Sequence, residues 1–174
     1  MFTTTYILSQ LFIIINYIFL VITYQLKNRK KILIFNNLAI IFTLLSFYLL
    51  NGFSAVAVSI ISLVRNLLFM FADKKNNKKL DLSILILIII LTIISGIYTF
   101  EGFWSLMPVI AAILYTFSIW QKNTKIFRLL GILVSILWIL YDIYVFSIFA
   151  VILESTVLIS SVIGYFRELK SSTI

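Results

Sequence analysis

Glu154, Arg65, Asn66, Trp138, Ser59 and Ser161 are the side chains of this sequence best equipped for chemistry, because each is a polar or amphipathic group set in a run of apolar ones. A carboxyl such as Glu154 at mid-bilayer costs about 2.5 to 3.5 kcal/mol on insertion scales, so it must face protein or water, be paired, or be protonated. Two readings follow: a buried carboxyl that fixes helix packing, or a solute ligand or proton carrier. Arg65 lies about 10 Å from the end of its apolar run, at 1.5 Å per residue. It either snorkels to the headgroups or turns inward, to meet Glu154 or to bind an anion bidentately. Asn66, Ser59 and Ser62 form a small, polar face, which serves either as a helix contact surface or as the lining of a site. Trp138 shares a face with Ser135 and Asp142 and lies deeper than an interfacial aromatic belt, which makes it a candidate pocket wall. Asn36 and Asn37 either cap their helix or line a vestibule. Pro108 lacks a backbone donor and is expected to kink its helix, as a static bend or as a hinge.

Much chemistry is excluded. The chain has no cysteine and no histidine, which removes disulfides, thiol nucleophiles, imidazole bases and most transition-metal sites. Only carboxylate chemistry remains for an enzyme, and Asp142 and Glu154 are a full helix apart in sequence. There is no Gly-rich phosphate loop and no metal-ligand cluster. Enzymatic activity, a cofactor and a metal are therefore not expected.

The elements that must position these groups are set by composition. Of 174 residues 63% are hydrophobic and 11% charged, with a mean hydropathy of +1.16; soluble domains carry about 25% charged residues. Apolar runs of the length needed to cross about 30 Å of hydrocarbon recur throughout. Hydropathy and the turn signals Asn51-Gly52 and Glu101-Gly102 give seven spans: Tyr6 to Tyr24, Ile32 to Leu50, Phe53 to Ala72, Leu82 to Phe100, Phe103 to Trp120, Ile126 to Val145, and Ser147 to Phe166. The first run lacks a positively charged leader and a cleavage signal and is expected to be a retained helix. The net charge is +8, with 14 Lys and Arg. All of these but Arg65 follow odd-numbered spans, in short connectors rather than on a folded polar face. Nucleic acid is thus not an expected partner; the lipid bilayer is. By the positive-inside rule the N-terminus is outside and the C-terminus cytoplasmic.

The connectors also repeat. TYQLKNRKKIL after span one and SIWQKNTKIFR after span five place Lys27, Asn28 and Lys30 95 residues before Lys122, Asn123 and Lys125. At the same offset Ser59 and Asn66 of span three map onto Glu154 and Ser161 of span seven, and residues seven apart share a helix face. The expected fold is an all-α, polytopic membrane protein of seven transmembrane helices: two parallel three-helix repeats joined by a linker helix. Its parts are residues 1–73, a basic loop and linker helix over 74–100, and residues 101–174.

This three-one-three layout resembles the SWEET and PQ-loop transporter fold, whose single-unit bacterial versions pair as dimers. The segments LLNGFSAVAVSIISLVRNLLF and WILYDIYVFSIFAVILESTVLISSVIGYFR, with Arg65-Asn66, the aromatic end of span six and Glu154, resemble the YgjV family of bacterial inner-membrane proteins. That resemblance implies an inner-membrane location and no particular biochemistry. The SWEET resemblance implies alternating access for a small polar solute, with Asn66 and Trp138 lining the pocket. The paired places hold Ser161 and Thr43, Pro108 has Ile13 as its counterpart, and there is no PQ dipeptide; these departures weigh against sugar transport. Two functions are expected from different classes. One is a carrier or facilitator of a small polar solute. The other is a non-transporting membrane partner, immunity or scaffold protein on the same fold. A homo-oligomer or a membrane partner protein belongs to the expected associations.

Overall fold

The computed structural model describes residues 3–25, 29–75, 78–121 and 124–171. Among the described residues seven α-helices follow one another: α1 (Thr4–Gln25), α2 (Arg29–Leu49), α3 (Phe53–Lys75), α4 (Lys78–Tyr98), α5 (Leu106–Trp120, preceded by a 3₁₀ turn at Phe103–Ser105), α6 (Thr124–Tyr144) and α7 (Ile148–Ser171). Helix is what an apolar chain must form in lipid, where no water satisfies an open backbone amide or carbonyl. Among the described residues four stretches are long and apolar enough to cross a bilayer, Phe53–Ala72, Lys79–Tyr98, Phe103–Trp120 and Ile148–Phe166; α1 and α2 carry the shorter apolar stretches Thr4–Leu20 and Ile34–Leu49. The chain is a polytopic, all-α membrane protein, and each expected span has a helix within a few residues of its bounds. Of the two basic bends, Lys27, Asn28, Lys122 and Asn123 lie outside the described residues.

The helix ends keep the spacing seen in the sequence. Arg29 and Thr124, where α2 and α6 begin, are 95 apart, as are Leu49 and Tyr144, where they end, and Phe53 and Ile148, where α3 and α7 begin. The turns between them share the two bonds that define them. After α2, Gly52 N–H donates to the Phe47 carbonyl (2.8 Å) and Asn51 N–H to that of Tyr48 (3.2 Å); after α6, Ser147 N–H donates to Asp142 (2.8 Å) and Phe146 N–H to Ile143 (3.2 Å). Both are Schellman endings, with the residue after the cap left-handed: Asn51 at φ 57° and Phe146 at φ 56°. Asparagine suits that conformation. Phenylalanine does not, since left-handed backbone costs an ordinary L-residue about 1 to 2 kcal/mol.

Packing follows the same pairing. α2 lies between α1 and α3, and α6 between α5 and α7. The two triplets pack α3 on α5 and α7 on α1, and between these contacts side chains of α2 and α3 meet α6 through Phe47, Ser54, Trp138 and Tyr141. Exchanging α1–α3 with α5–α7 turns each of these contacts into another on the same circuit. The fourth helix has no counterpart. It packs outside the ring on α3 and α5, drawn close by Gly96, where an added Cβ would stand 2.9 Å from the Val109 methyls.

Candidate functional site

Four helices, α1, α2, α6 and α7, line a half-open cavity of about 120 Å³. Its polar lining is Asn16, Thr43, Asp142 and Glu154; Trp138 and Phe47 form an aromatic wall, and Ile13, Leu153 and their neighbours complete an apolar shell. Asp142 sits in the last turn of α6 because the Schellman turn uses its carbonyl, which fixes its side chain inward. It is 1% exposed, and its Oδ1 has no hydrogen-bond partner. The Glu154 carboxyl, half-buried in the second turn of α7, lines the same space as Asp142. Trp138 stacks on Phe47 with ring centroids 5.8 Å apart. Thr43 and Trp138, both lining the cavity, are 95 residues apart, so the two second helices contribute the same position to one wall.

Above this cavity lies a second space of about 420 Å³, lined by Asn51, Ser54, Glu101, Tyr141 and Tyr144 among others. It gathers the α2–α3, α4–α5 and α6–α7 connections at one end of the bundle. Tyr141 separates the two spaces. Its ring packs on Phe47 (5.7 Å) and Trp138 (6.2 Å), and its hydroxyl accepts a bond from Ser54 Oγ at 3.1 Å. Gly52 makes room for it: a Cβ there would stand 2.7 Å from the Tyr141 oxygen. Three aromatic rings thus stand between this vestibule and the cavity with the carboxyls.

Toward the opposite end, a second polar cluster ties α3 to its neighbours. Arg65 is 2% exposed. Its Nε and Nη2 donate to Asn66 Oδ1 (3.3 and 3.2 Å), and its Nη1 donates to Thr116 Oγ1 on α5 (3.3 Å). The Tyr115 ring lies 5.0 Å from the guanidinium carbon. Asn66 Nδ2 donates to Asn36 Oδ1 (2.9 Å) and Asn37 Oδ1 (3.0 Å) on α2. Arginine therefore neither snorkels nor reaches Glu154; it is buried among neutral oxygens, and among the described residues no carboxylate pairs with it.

The sequence-derived site residues accordingly fall into separate groups. Glu154 and Trp138 share the cavity. Arg65 and Asn66 lie in the other cluster, because α3 packs on α5 and α7 on α1 rather than on each other. Ser161 faces α6, with its Oγ 3.5 Å from where a Cβ of Gly131 would be, which is a close helix contact. Ser59 is buried in α3 and lines neither space. Pro108 occupies the third position of α5, where a helix has no partner for its N–H in any case. The expected interior kink is thus replaced by a fresh helix start after the 3₁₀ turn.

Sequence reasoning passed over Asn16 and Gln10. Ser9 and Asn16 have the same seven-residue spacing as Ser59 and Asn66, and that signal marks the buried stripe of α1. Gln10 Oε1 accepts the Phe149 backbone N–H at 3.1 Å, so a side chain of α1 caps the first turn of α7 and fixes one wall of the cavity.

A family model described as bacterial inner membrane protein, Imp-YgjV, matches residues 7–172, and the chain belongs to that family. No curated protein and no solved structure matches it.

Proposed function

We propose that this member of the YgjV family is a carrier or facilitator that moves a small polar solute across the inner membrane by alternating access. The observation that carries the reading is a cavity lined by one buried and one half-buried carboxyl, with side chains rather than backbone between it and a vestibule. Burying such groups is costly unless they act on something. In this reading all seven helices cross the bilayer, as two like-facing triplets with α4 as the linking crossing. The identical turns and the exchangeable contacts of the two triplets support that layout, and parallel repeats enclosing a midplane site are a transporter organisation. The cations follow odd-numbered helices, so the vestibule end faces away from the cytoplasm and the N-terminus lies outside.

Each part then has a task. Solute enters the vestibule, and Tyr141 swings off Ser54 to admit it past Phe47. Asp142, Glu154, Asn16 and Thr43 hold its polar groups, while Trp138 covers its apolar part. The Arg65, Asn66, Asn36 and Asn37 cluster bridges α2, α3 and α5 at the cytoplasmic side and is the tie that loosens when the carrier opens inward. The test is uptake into proteoliposomes across a panel of sugars, vitamins, amines and other small metabolites. Saturable uptake that is lost in Glu154→Gln and slowed in Asn66→Ala is expected. No uptake of any member by a folded protein contradicts the proposal.

A further inference from the structure

Three features outside the closing tie narrow what the cavity accepts. The first is charge. Two carboxyls line it, and no Lys or Arg is among its lining residues; the buried arginine points to Thr116 and Asn66 instead. Two carboxylates lining one small space repel, and a cation between them offsets that repulsion. The second is an open bond. Asp142 Oδ1 is buried with no partner, and a buried acceptor left unmatched costs about 1 to 3 kcal/mol or more, so the site is complete only when a donor arrives. The third is the wall. Indole and phenyl rings and aliphatic side chains outnumber the oxygens, which suits an ammonium group with methylenes attached and not a bare metal ion, which wants six or more oxygens.

We propose that the cavity binds a small organic ammonium ion. Size sets its scale. A closed cavity of about 150 Å³ holds benzene, so the space of about 120 Å³ matches a ligand of four or five heavy atoms, that of ethanolamine. The ammonium donates to Asp142 Oδ1 and Glu154, the carbon chain lies along Trp138, and Asn16 or Thr43 takes the terminal hydroxyl. The assignment rests on the carrier reading for its consequence, transport, and on the cavity alone for binding.

Binding and uptake are therefore measured separately on the full-length protein. In detergent, at constant ionic strength set with potassium chloride, calorimetric titration compares ethanolamine with ethylene glycol, its neutral counterpart, with glycolate, its anionic one, and with sodium chloride. Saturable binding of ethanolamine alone is expected, weakened at least tenfold by Asp142→Asn and by Glu154→Gln. Ala150→Leu, which fills the cavity from an uncharged wall, is expected to abolish it with the fold retained. Equal binding of ethylene glycol, preference for glycolate, or a saturable site for sodium overturns the assignment. Ethanolamine that binds but never enters proteoliposomes contradicts the carrier reading and leaves this one standing. Uptake of a neutral solute by a protein that ignores ethanolamine does the reverse.

Discussion

The α7–α1 and α3–α5 contacts have opposite contents. Beside the first, the structure leaves a cavity lined by Asp142, Glu154 and Asn16. At the second, Val58, Val109 and Ala112 close into an apolar cluster that Trp138 and Ile113 complete, and the charge that α3 brings toward α5 is that of Arg65, bound to Thr116. At the spacing of 95, Glu154 has Ser59 as its counterpart, Asp142 has Phe47, Asn16 has Ala111, and Arg65 has Ser160. Backbone symmetry thus survives where hydrogen bonds set it, at the turns, while side chains diverge where they meet the middle of the bundle. One site results instead of two.

That contrast is open to attack from both sides. The largest effect is expected at the carboxyls: Asp142→Asn or Glu154→Gln lowers uptake at least tenfold, since a bond to a charged group is worth about 1.5 to 3 kcal/mol, while Ser59→Ala leaves uptake within a factor of two. Equal losses in the two would erase the distinction. Placing the carboxyl on the other side, Ser59→Glu, is expected to destabilise the fold by about 2.5 to 3.5 kcal/mol, read as a lowered melting temperature in detergent; an unchanged melt means that the α3 side is not dry. At the turns, Gly52→Ala forces Tyr141 off its seat and is expected to cost about 1 to 3 kcal/mol. The corresponding Ser147→Ala removes a buried hydroxyl that has no partner and is expected to be neutral or slightly stabilising, so a loss there as large as at Gly52 would contradict the assignment. The smallest effects belong to the left-handed residues: Phe146→Asn gains, and Asn51→Phe loses, about 1 kcal/mol, checked by thermal unfolding of each variant.

Much of the scaffold was legible because lipid leaves so few choices. A run of twenty apolar residues becomes a helix, Asn51-Gly52 ends one, and the repeated basic bend announced the spacing that the helix ends keep. Glu154 stood out too, since a charge among isoleucines has no bland surface to occupy; Asp142 was legible only as sharing a face with Trp138. What sequence did not reveal was who faces whom. Turning Arg65 toward Glu154 needs α3 and α7 to meet, but the contacts join α3 to α5 and α7 to α1. Pro108 was misjudged because the 3₁₀ turn that restarts the helix at Leu106 has no marker in FWSLMP beyond the proline itself. Asn16 was missed although its spacing from Ser9 was plain, because an asparagine amid isoleucine and tyrosine draws less attention than an ionised group.

The absence of native cysteine makes the cavity directly accessible to test. Thr43→Cys places one thiol in its lining, in vesicles of known orientation exposed to a membrane-impermeant maleimide. A carrier is expected to be labelled from either face, with bound solute protecting the thiol; labelling from neither face, by a protein whose Asn51→Cys variant labels freely, means that the enclosure never opens and contradicts alternating access.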